Sequence, residues 1–306
     1  MGAAVFRHAA HRRADAGVFL RSFVLSNATT LKPMRQLLKI TTTFTLALVL
    51  TAGMAFGQDH SANVEQDGNN NDATVQQNGT SQQAIIDQVG DQNEAITRQL
   101  SDKENHQNGF ARQEQDGTGN YARILQPLND SKKLKGGTAV QEQDGNQNDA
   151  RINQSNNSNE AYQDQDGYGN FAKVEQGRRK NKVNQRQSGN NNDARADQTS
   201  SKNGVIRQQQ FGNQNESDVT QTRAGDVGSF PPAESDFART YQDGNNNDAV
   251  INQFGNTNNS ARTFQYGNAN DVTVTQTGNG HGAKVVQDGY SNTATVTQNG
   301  SAPAGQ

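Results

Sequence analysis

The chain has 306 residues, of which only 30% are hydrophobic and 6% aromatic, and it contains neither Cys nor Trp. Leu, Ile, Val and Phe together number 51, about 17% of the chain, which is below the share expected of an ordinary hydrophobic core. The lack of Cys excludes disulfide scaffolds, thiolate metal sites and cysteine nucleophiles. A formal charge of −3 argues against a nucleic-acid partner. Two interpretations of the composition remain: a polar disordered chain or a repeat architecture.

The N-terminus is predicted to be a targeting segment. Residues 34–39 are short and basic, and residues 40–56 are apolar but interrupted by five Thr residues. This pattern is typical of a signal peptide at 34–57, and it is too short and polar for a membrane span, so we do not expect an integral membrane protein. Residues 1–33 are interpreted as a non-native or dispensable extension. The mature chain then begins at Gln58 and carries 21 Lys+Arg against 30 Asp+Glu.

A repeat of eleven residues follows a short mature N-terminus at 58–65. Residues 66–77 read Q-D-G-N-N-N-D-A-T-V-Q-Q, which defines the unit Q-x-G-x-x-N-x-A-x-V-x-Q, and its last Gln opens the next copy. Nineteen copies fit between Gln66 and Gln298, and each closes on Gln. A disordered low-complexity chain has no reason to keep such a phase. Residues 299–306 are left as a C-terminal tail.

The units pair into a longer repeat that is twice the length of one unit. The stronger Q-x-G copies begin at Gln66, Gln88, Gln115, Gln143, Gln165, Gln187, Gln210, Gln242, Gln265 and Gln287. Most consecutive starts are separated by two units or by one residue more, and three separations are clearly longer. These three departures are insertions near 100–110, 127–138 and 222–236, and all three fall in the same half of the repeat. We therefore expect one edge of the structure to accept loops and the other to reject them.

The alternation within each unit predicts strands. Asn, Ala, Val and Gln occupy every second position, so they share one face of an extended strand, and the Gly with the two residues after it makes a bend. The expected fold is all-β, a β-solenoid of about ten strand-bend-strand rungs with cross-β stacking at about 4.8 Å. Buried Asn and Gln would then stack in ladders that satisfy their amides. Arg207 is the charged exception that the alignment places in an inward Val slot.

We predict that self-assembly depends on this inward ladder and on the bend glycine. The predicted residues are Gln66, Gly68, Asn71, Ala73, Val75, Gln77, Gln88, Gln115, Asn120, Ala122, Gln143, Asn148, Ala150, Gln165, Asn170, Ala172, Gln187, Gln242, Asn247, Ala249, Gln265, Gln276, Gln287, Asn292, Ala294 and Gln298.

The motif Q-x-G-x-x-N-x-A-x-x-x-Q, repeated over residues 66–298, resembles the curlin repeat. Curlins are the subunits of curli, an extracellular functional amyloid of Gram-negative bacteria. The resemblance implies a secreted structural subunit that polymerises with itself into a cell-surface fimbrium for adhesion and biofilm matrix. It also implies a nucleator curlin, a curli-type secretion pore and chaperones as partners. Curlins usually carry a longer repeat-free segment than 58–65 after the signal peptide. The bulk subunit is favoured over a minor nucleator subunit.

Other functions are weighed against this interpretation. An enzyme is not expected, because the mature chain has only His60, His106 and His281 and lacks the usual catalytic motifs, and no cofactor is expected. A calcium-binding solenoid is an alternative, since acidic and amide side chains cluster at bends such as 67–72, 144–149 and 243–248, although no EF-hand pattern is present. An adhesive or ice-binding solenoid is another, suggested by the Thr residues of 273–275 and 293–297.

Overall fold

The computed structural model describes residues 60–101, 108–128, 136–156, 158–223, 236–255 and 258–301, and it describes two earlier strands by their backbone alone. All of these residues belong to one compact unit, Met34–Gln306. The predicted extension at 1–33, most of the predicted signal peptide, the tail beyond 301 and the middle of each predicted insertion lie outside the described residues.

The described residues form parallel strands and contain no helix. The odd-numbered strands are β1 Leu37–Leu38, β3 Ser61–Asp67, β5 Gln83–Asp91, β7 Phe110–Thr118, β9 Thr138–Asn146, β11 Glu160–Tyr168, β13 Lys182–Asn190, β15 Val205–Phe211, β17 Phe237–Asp243, β19 Ser260–Asn268 and β21 Gly282–Tyr290. The even-numbered strands are β2 Ala47–Ala52, β4 Asp72–Gln77, β6 Glu94–Ser101, β8 Tyr121–Leu128, β10 Asp149–Gln154, β12 Phe171–Gln176, β14 Asp193–Gln198, β16 Glu216–Arg223, β18 Asp248–Gly255, β20 Asp271–Asn279 and β22 Thr293–Ser301.

Odd strands pair only with odd strands and even strands only with even strands, so the chain builds two parallel sheets of 11 strands each, the odd sheet and the even sheet. Each successive odd and even strand together form one turn of the coil. From β3–β4 to β21–β22 there are ten such turns, here called rungs 1 to 10. The predicted all-β solenoid of about ten rungs is confirmed.

Stacking is in register, and identical residue types lie above one another. Gln143 of β9 pairs with Gln165 of β11, and Ala150 of β10 pairs with Ala172 of β12. The inward side chains of the inner rungs are buried, and among the buried apolar ones about half are Ala, with Ile and Val beside them. Small side chains let the two sheets approach closely, because little volume must be accommodated between them.

Glycine is required at one position where each odd strand ends and the chain turns toward the even sheet. Gly145 has a φ of 110°, and a Cβ placed on it would lie 2.1 Å from the carbonyl oxygen of Gly167 in the next rung. Both the left-handed backbone and the stacked neighbour therefore exclude any side chain. The bends that follow even strands are less uniform, and they contain the longest intervals between strands, at 102–109, 129–137 and 224–236.

The structure corrects the placement of Arg207. Its Cα pairs with that of Asn184, its side chain is exposed, and the inward residues are Ile206 and Gln208. The bend at 199–204 contains one residue more than the repeat alignment assumed. The extra residue is therefore accommodated in the bend and not in the strand. A one-residue slip within the strand would have turned every inward side chain outward, so the strand keeps its register.

The N-terminal edge of the solenoid is paired with the segment predicted to be a signal peptide. The backbone of β1 pairs in parallel with β3, with Leu37 opposite Asn63, and that of β2 pairs with β4, with Ala47 opposite Asp72. Cleavage after residue 57 stays a prediction. No helix capable of crossing a membrane occurs in the part of the chain that the structure describes.

Candidate functional site

Two continuous amide ladders run along the solenoid, one in each sheet, and we call them the edge ladders. In both, the Nε2 of each Gln donates to the Oε1 of the Gln in the next rung. The ladder of the odd sheet joins Gln66, Gln88, Gln115, Gln143, Gln165, Gln187, Gln210, Gln242, Gln265 and Gln287, at 2.5–3.0 Å. The ladder of the even sheet joins Gln77, Gln99, Gln126, Gln154, Gln176, Gln198, Gln221, Gln253, Gln276 and Gln298, at 2.7–3.1 Å.

Most of these side chains also use their second amide hydrogen. Gln165 Nε2 donates to Asp149 O at 3.2 Å as well as to Gln187 Oε1 at 2.9 Å. The ladder thus ties each rung to the next and also ties one sheet to the other across the core. An unpaired buried amide would cost about 1–3 kcal/mol, so the pairing of these amides is what allows a core rich in Gln.

From Asn170 to Asn292 the inward Asn residues form the predicted side-chain ladder, with Nδ2 to Oδ1 bonds of 3.0–3.2 Å, and they also make a bond that the prediction did not include. The backbone N–H of Asn170 donates to Asn148 Oδ1 at 3.0 Å, and Asn148 Nδ2 donates to Gly167 O at 3.0 Å. The same arrangement recurs from Asn71 to Asn292. Each Asn therefore holds the backbone of the next rung at the bend, directly beside the stacked glycines.

Sequence reasoning missed a third ladder in the middle of the core, here called the central ladder. It lies in the odd sheet, at the inward position that the repeat assigns to Val. Gln113, Gln141, Gln163, Gln185 and Gln208 are linked by bonds of 2.7–2.9 Å. The sequence did contain a signal for this ladder, because Gln replaces Val at this position in five consecutive odd strands.

Hydroxyl groups close both ends of the central ladder. Thr97 Oγ1 donates to Gln113 Oε1 at 2.8 Å. At the other end Gln208 Nε2 donates to Ser217 Oγ at 2.9 Å, and Ser217 Oγ lies 2.6 Å from Thr240 Oγ1. Ser217 stands where most rungs have Ala, and its hydroxyl links Gln208 Nε2, which also donates to two backbone carbonyl oxygens, to the Thr240 hydroxyl.

The edge ladders have no such closure. Gln66 Oε1 is buried and has no hydrogen-bond partner among the described residues. At the other end Gln287 and Gln298 lie in the last rung, where their Nε2 atoms donate only to backbone carbonyls. Ala294 and Gln298 are half-buried and Asn292 is exposed, whereas their equivalents in the inner rungs are buried. The predicted ladder residues are thus brought into continuous columns. Both Gln columns are open at the last rung, and the column of the odd sheet is also open at the first.

The outer face of the odd sheet is divided by charge along the solenoid axis. Its acidic half, rungs 1 to 5, presents Glu65, Asp67, Asp87, Glu114, Asp116, Glu142, Asp144, Asp164 and Asp166. Its basic-aromatic half, rungs 6 to 10, presents Arg186, Arg207, Arg239, Arg262 and Lys284 with Phe211, Tyr241, Phe264 and Tyr266. Burial, together with the neighbouring carboxylates, raises the pKa of Asp87.

The side chains of the basic-aromatic half contact one another between rungs. The ring centroids of Tyr241 and Tyr266 lie 5.6 Å apart. The guanidinium of Arg239 lies 5.3 Å from the Phe264 ring centroid, and that of Arg262 lies 5.2 Å from the Phe237 ring centroid. These cation–π contacts hold the cations in an ordered array on the surface.

The outer face of the even sheet carries a column of stacked carboxylates. Asp193, Glu216, Asp248 and Asp271 face one another in four consecutive rungs. Partial burial, opposed by Arg195 and reinforced by Glu216, raises the pKa of Asp193 to about 6. Partial burial and the adjacent carboxylates also raise the pKa of Asp248 to about 6.

The residues suggested for calcium binding do not converge. Asp144 lies on the outer face of β9 and Asp149 on the outer face of β10, so they point away from opposite sheets. No group of three or more acidic or His side chains able to hold a metal ion occurs among the described residues. Stacked Thr pairs, such as Thr273 with Thr295, occupy rungs 9 and 10, whereas the same column in rungs 4 to 6 holds Arg and Lys.

This architecture defines the class of protein: a parallel β-solenoid whose rungs are joined by continuous amide ladders. Comparison with protein families supports the more specific assignment. The family model described as the curlin associated repeat matches residues 68–99 and 257–289, near the two ends of the solenoid. These two segments of the chain are therefore curlin associated repeats. Comparison with the curated proteins finds no match.

Proposed function

We propose that the chain is a structural subunit of an extracellular curli-like amyloid fibre, in which copies stack end to end along the solenoid axis. One observation carries the proposal. The central ladder is closed at both ends by hydroxyl groups, whereas both edge ladders are open at the last rung and the ladder of the odd sheet is also open at the first. Open strand edges and open amide ladders are templates for a further copy.

The two ends are complementary. All strands are parallel, so the last rung offers Nε2 donors on Gln287 and Gln298, and the first rung offers the Oε1 acceptor of Gln66. A second copy placed head to tail would continue both edge ladders without changing their direction. The fibre is then polar, and each copy adds about 48 Å at about 4.8 Å per rung.

The family supports the remaining parts of the proposal. Curlin proteins are extracellular structural amyloid subunits, and the same role here implies export through a signal peptide and a curli-type pore with chaperones. We favour the bulk subunit, because β21 and β22 carry Gln287 and Gln298 in full register, so the last rung is suited to continue growth. A minor nucleator subunit is the second candidate. Neither role requires an active site or a cofactor.

Thioflavin T fluorescence on purified residues 58–306, combined with fibre diffraction, tests the proposal. We expect fibre growth with a meridional reflection at about 4.7–4.8 Å. Two matched variants in β22 test the stacking. Val296→Lys places an ammonium on the inward face that the next copy would bury, and it is expected to stop growth, whereas Thr295→Lys on the outward face is expected to allow it.

A stable β-rich monomer that never forms fibres would contradict the proposal and would bring the calcium-binding or adhesive solenoid forward. Equal growth of the Val296→Lys and Thr295→Lys variants would also contradict end-to-end stacking. The amount of the chain in fibres from the producing cell separates the two subunit roles: a bulk subunit forms most of the fibre mass, and a nucleator a minor share.

A further inference from the structure

The outer face of the odd sheet has the features of an interface between copies. It is divided into the acidic half and the basic-aromatic half, each five rungs long, and its side chains stack in four columns along the axis. The three columns nearest the glycine bend carry most of the charge and are numbered first to third here. The first column runs from Arg112 through Arg239 to Lys284, and the third runs from Asp116 through Asp243 to Asp288. The middle column holds Glu114, Glu142 and Asp164 in the acidic half.

We propose that two copies pair laterally through this face, with parallel solenoid axes and an offset of five rungs, so that the basic-aromatic half of one copy covers the acidic half of the other. The proposal rests on the proposed fibre function, because the second half of each face is then covered by the next copy along the partner filament. Each copy would then contact two consecutive copies of the partner filament and span the junction between them.

The first and third columns match under this arrangement. When two such faces meet with their strands antiparallel and their middle columns aligned, the first column of one copy faces the third column of the other. With an offset of five rungs, rung 8 faces rung 3, so Arg239 meets Asp116 and Asp243 meets Arg112. The next two rungs bring Arg262 to Asp144 and Lys284 to Asp166.

Apolar side chains match at the same offset. Phe211 of rung 7 faces Ile85 of rung 2, and Tyr266 of rung 9 faces Val140 of rung 4. Phe211 and Ile85 are half-buried within the copy, and Tyr266 is 39% exposed. Pairs of this kind give the interface apolar contacts between its ionic rows, as interfaces between proteins usually have.

Pairing without an offset is electrostatically unfavourable. Glu114, Glu142 and Asp164 of the middle column would then each face their own copy in the partner, and the whole acidic half would face another acidic half. With the offset, the five overlapping rungs, about 24 Å long and about 30 Å wide, bury roughly 700 Å² per copy on each of two halves. Each half therefore lies within the range of a standard interface, which buries roughly 600–1,000 Å² per partner.

The experiment measures the mass per unit length and the axial offset of fibres formed by the whole chain as the producing cell processes it. We expect paired filaments with an offset of about 24 Å at low salt. Arg239→Gln with Arg262→Gln should halve the mass per length, whereas fibre growth continues. The matched control, Arg151→Gln with Arg195→Gln in the equivalent basic column of the even sheet, should leave the pairs intact.

A charge exchange provides the decisive step. Arg239→Asp with Arg262→Asp should separate the filaments, and the addition of Asp116→Arg and Asp144→Arg should restore the pairs. Pairs should also separate in 1 M salt, where the Debye length is about 3 Å. The proposal would be overturned if the pairs survive the charge reversal or do not return after the exchange. It would also be overturned if the two filaments pair without an axial offset, or if pairing requires an added polyanion.

The proposal and the fibre function can fail separately. If the chain forms no fibres, the offset pairing still predicts soluble oligomers that dissociate with salt and with Arg239→Asp and Arg262→Asp, as measured by sedimentation velocity. A soluble chain that is monomeric at all salt concentrations would overturn the lateral pairing. Fibres of single filaments would overturn the pairing and leave the fibre function standing.

Discussion

At the scale of single residues, the chain depends on side chains that stack on copies of themselves. Each inward Gln has a donor and an acceptor on one amide, so a column of Gln can satisfy itself indefinitely, which no column of carboxylates or ammonium groups can do. Asn performs the same task for the backbone of the bend. The residue type at each inward position therefore depends on the side chain above it in the next rung as much as on its own strand.

The terminal Gln residues should govern elongation. Gln298→Ala removes a donor that an added copy would need, and an unpaired buried amide costs about 1–3 kcal/mol, so elongation should slow by about tenfold. Gln287→Ala and Gln276→Ala should act in the same direction. The measurement is seeded thioflavin T kinetics. Thr295→Ala, which faces outward in the same strand as Gln298, is the control, and an equal effect there would sink the inward and outward assignment.

The bend glycines should be the least replaceable residues. Gly145→Ala combines a φ of 110° with a Cβ 2.1 Å from Gly167 O, and we expect a loss of about 3 kcal/mol or more in the free energy of unfolding. Chemical denaturation of the purified protein measures it. Gly282→Ala is the matched control, since nothing lies within 4 Å of its added Cβ, and a similar loss there would show that stacking is not the cause.

At the scale of the strands, parallel in-register stacking places outward side chains of like charge directly above one another in successive rungs. The column Asp193, Glu216, Asp248 and Asp271 is the main case, with Arg195 and Asp218 in the adjacent column of the same face. Arg195 pairs with Asp193 at 2.6 Å, whereas Asp248 has no such cation among the described residues. The ionised carboxylates of this column therefore repel one another, and protonation reduces this repulsion.

Stability should consequently fall as the pH rises. The pKa of Asp193 and that of Asp248 are about 6 in the folded chain, above their ordinary value of 3.8, so the folded state binds these protons more tightly than the unfolded state. Their stabilising effect is complete below pH 3.8 and is lost as the pH rises through about 6. Denaturant midpoints measured at pH 5 and pH 7.5 should differ in that direction.

The double variant Asp193→Asn with Asp248→Asn should reduce this pH dependence, because the amides do not ionise. Thr275→Asn, also on the outer face of the even sheet, serves as the control and should leave the pH dependence unchanged. An undiminished difference between pH 5 and pH 7.5 in the double variant would assign the effect to other carboxyls.

At the scale of the whole molecule, the two ends of the solenoid decide whether it grows. The C-terminal rung is partly exposed, whereas β1 and β2 cover the backbone edges of β3 and β4. The segment that contains β1 and β2 coincides with the predicted signal peptide. Its removal would uncover the edge that joins the C-terminal rung of another copy.

A chain that keeps this segment should therefore polymerise poorly. We expect residues 34–306 to add to existing seeds far more slowly than residues 58–306, because an occupied strand edge cannot pair with another copy. Seeded elongation monitored by light scattering measures the difference. Equal rates for the two chains would mean that β1 and β2 do not protect the edge.

The sequence by itself determined the strands, the bends and the rung number, because side chains alternate with a period of two along a strand and the repeat unit keeps one phase from Gln66 to Gln298. Gln143 and Gln165, or Ala150 and Ala172, could be paired from their spacing alone. The placement of Arg207 failed because an added residue can be taken up in a bend or in a strand, and only the paired neighbour decides which.

Only the tertiary structure revealed the closed central ladder, the open edge ladders and the charge-divided outer face. Thr97 and Ser217 lie far apart in the sequence, and their common role depends on which Gln each one meets in three dimensions. The two halves of the outer face likewise become visible when odd strands are stacked apart from even strands. Hydrogen bonds and charge complementarity depend on distance between atoms, and a one-dimensional pattern contains no such distances.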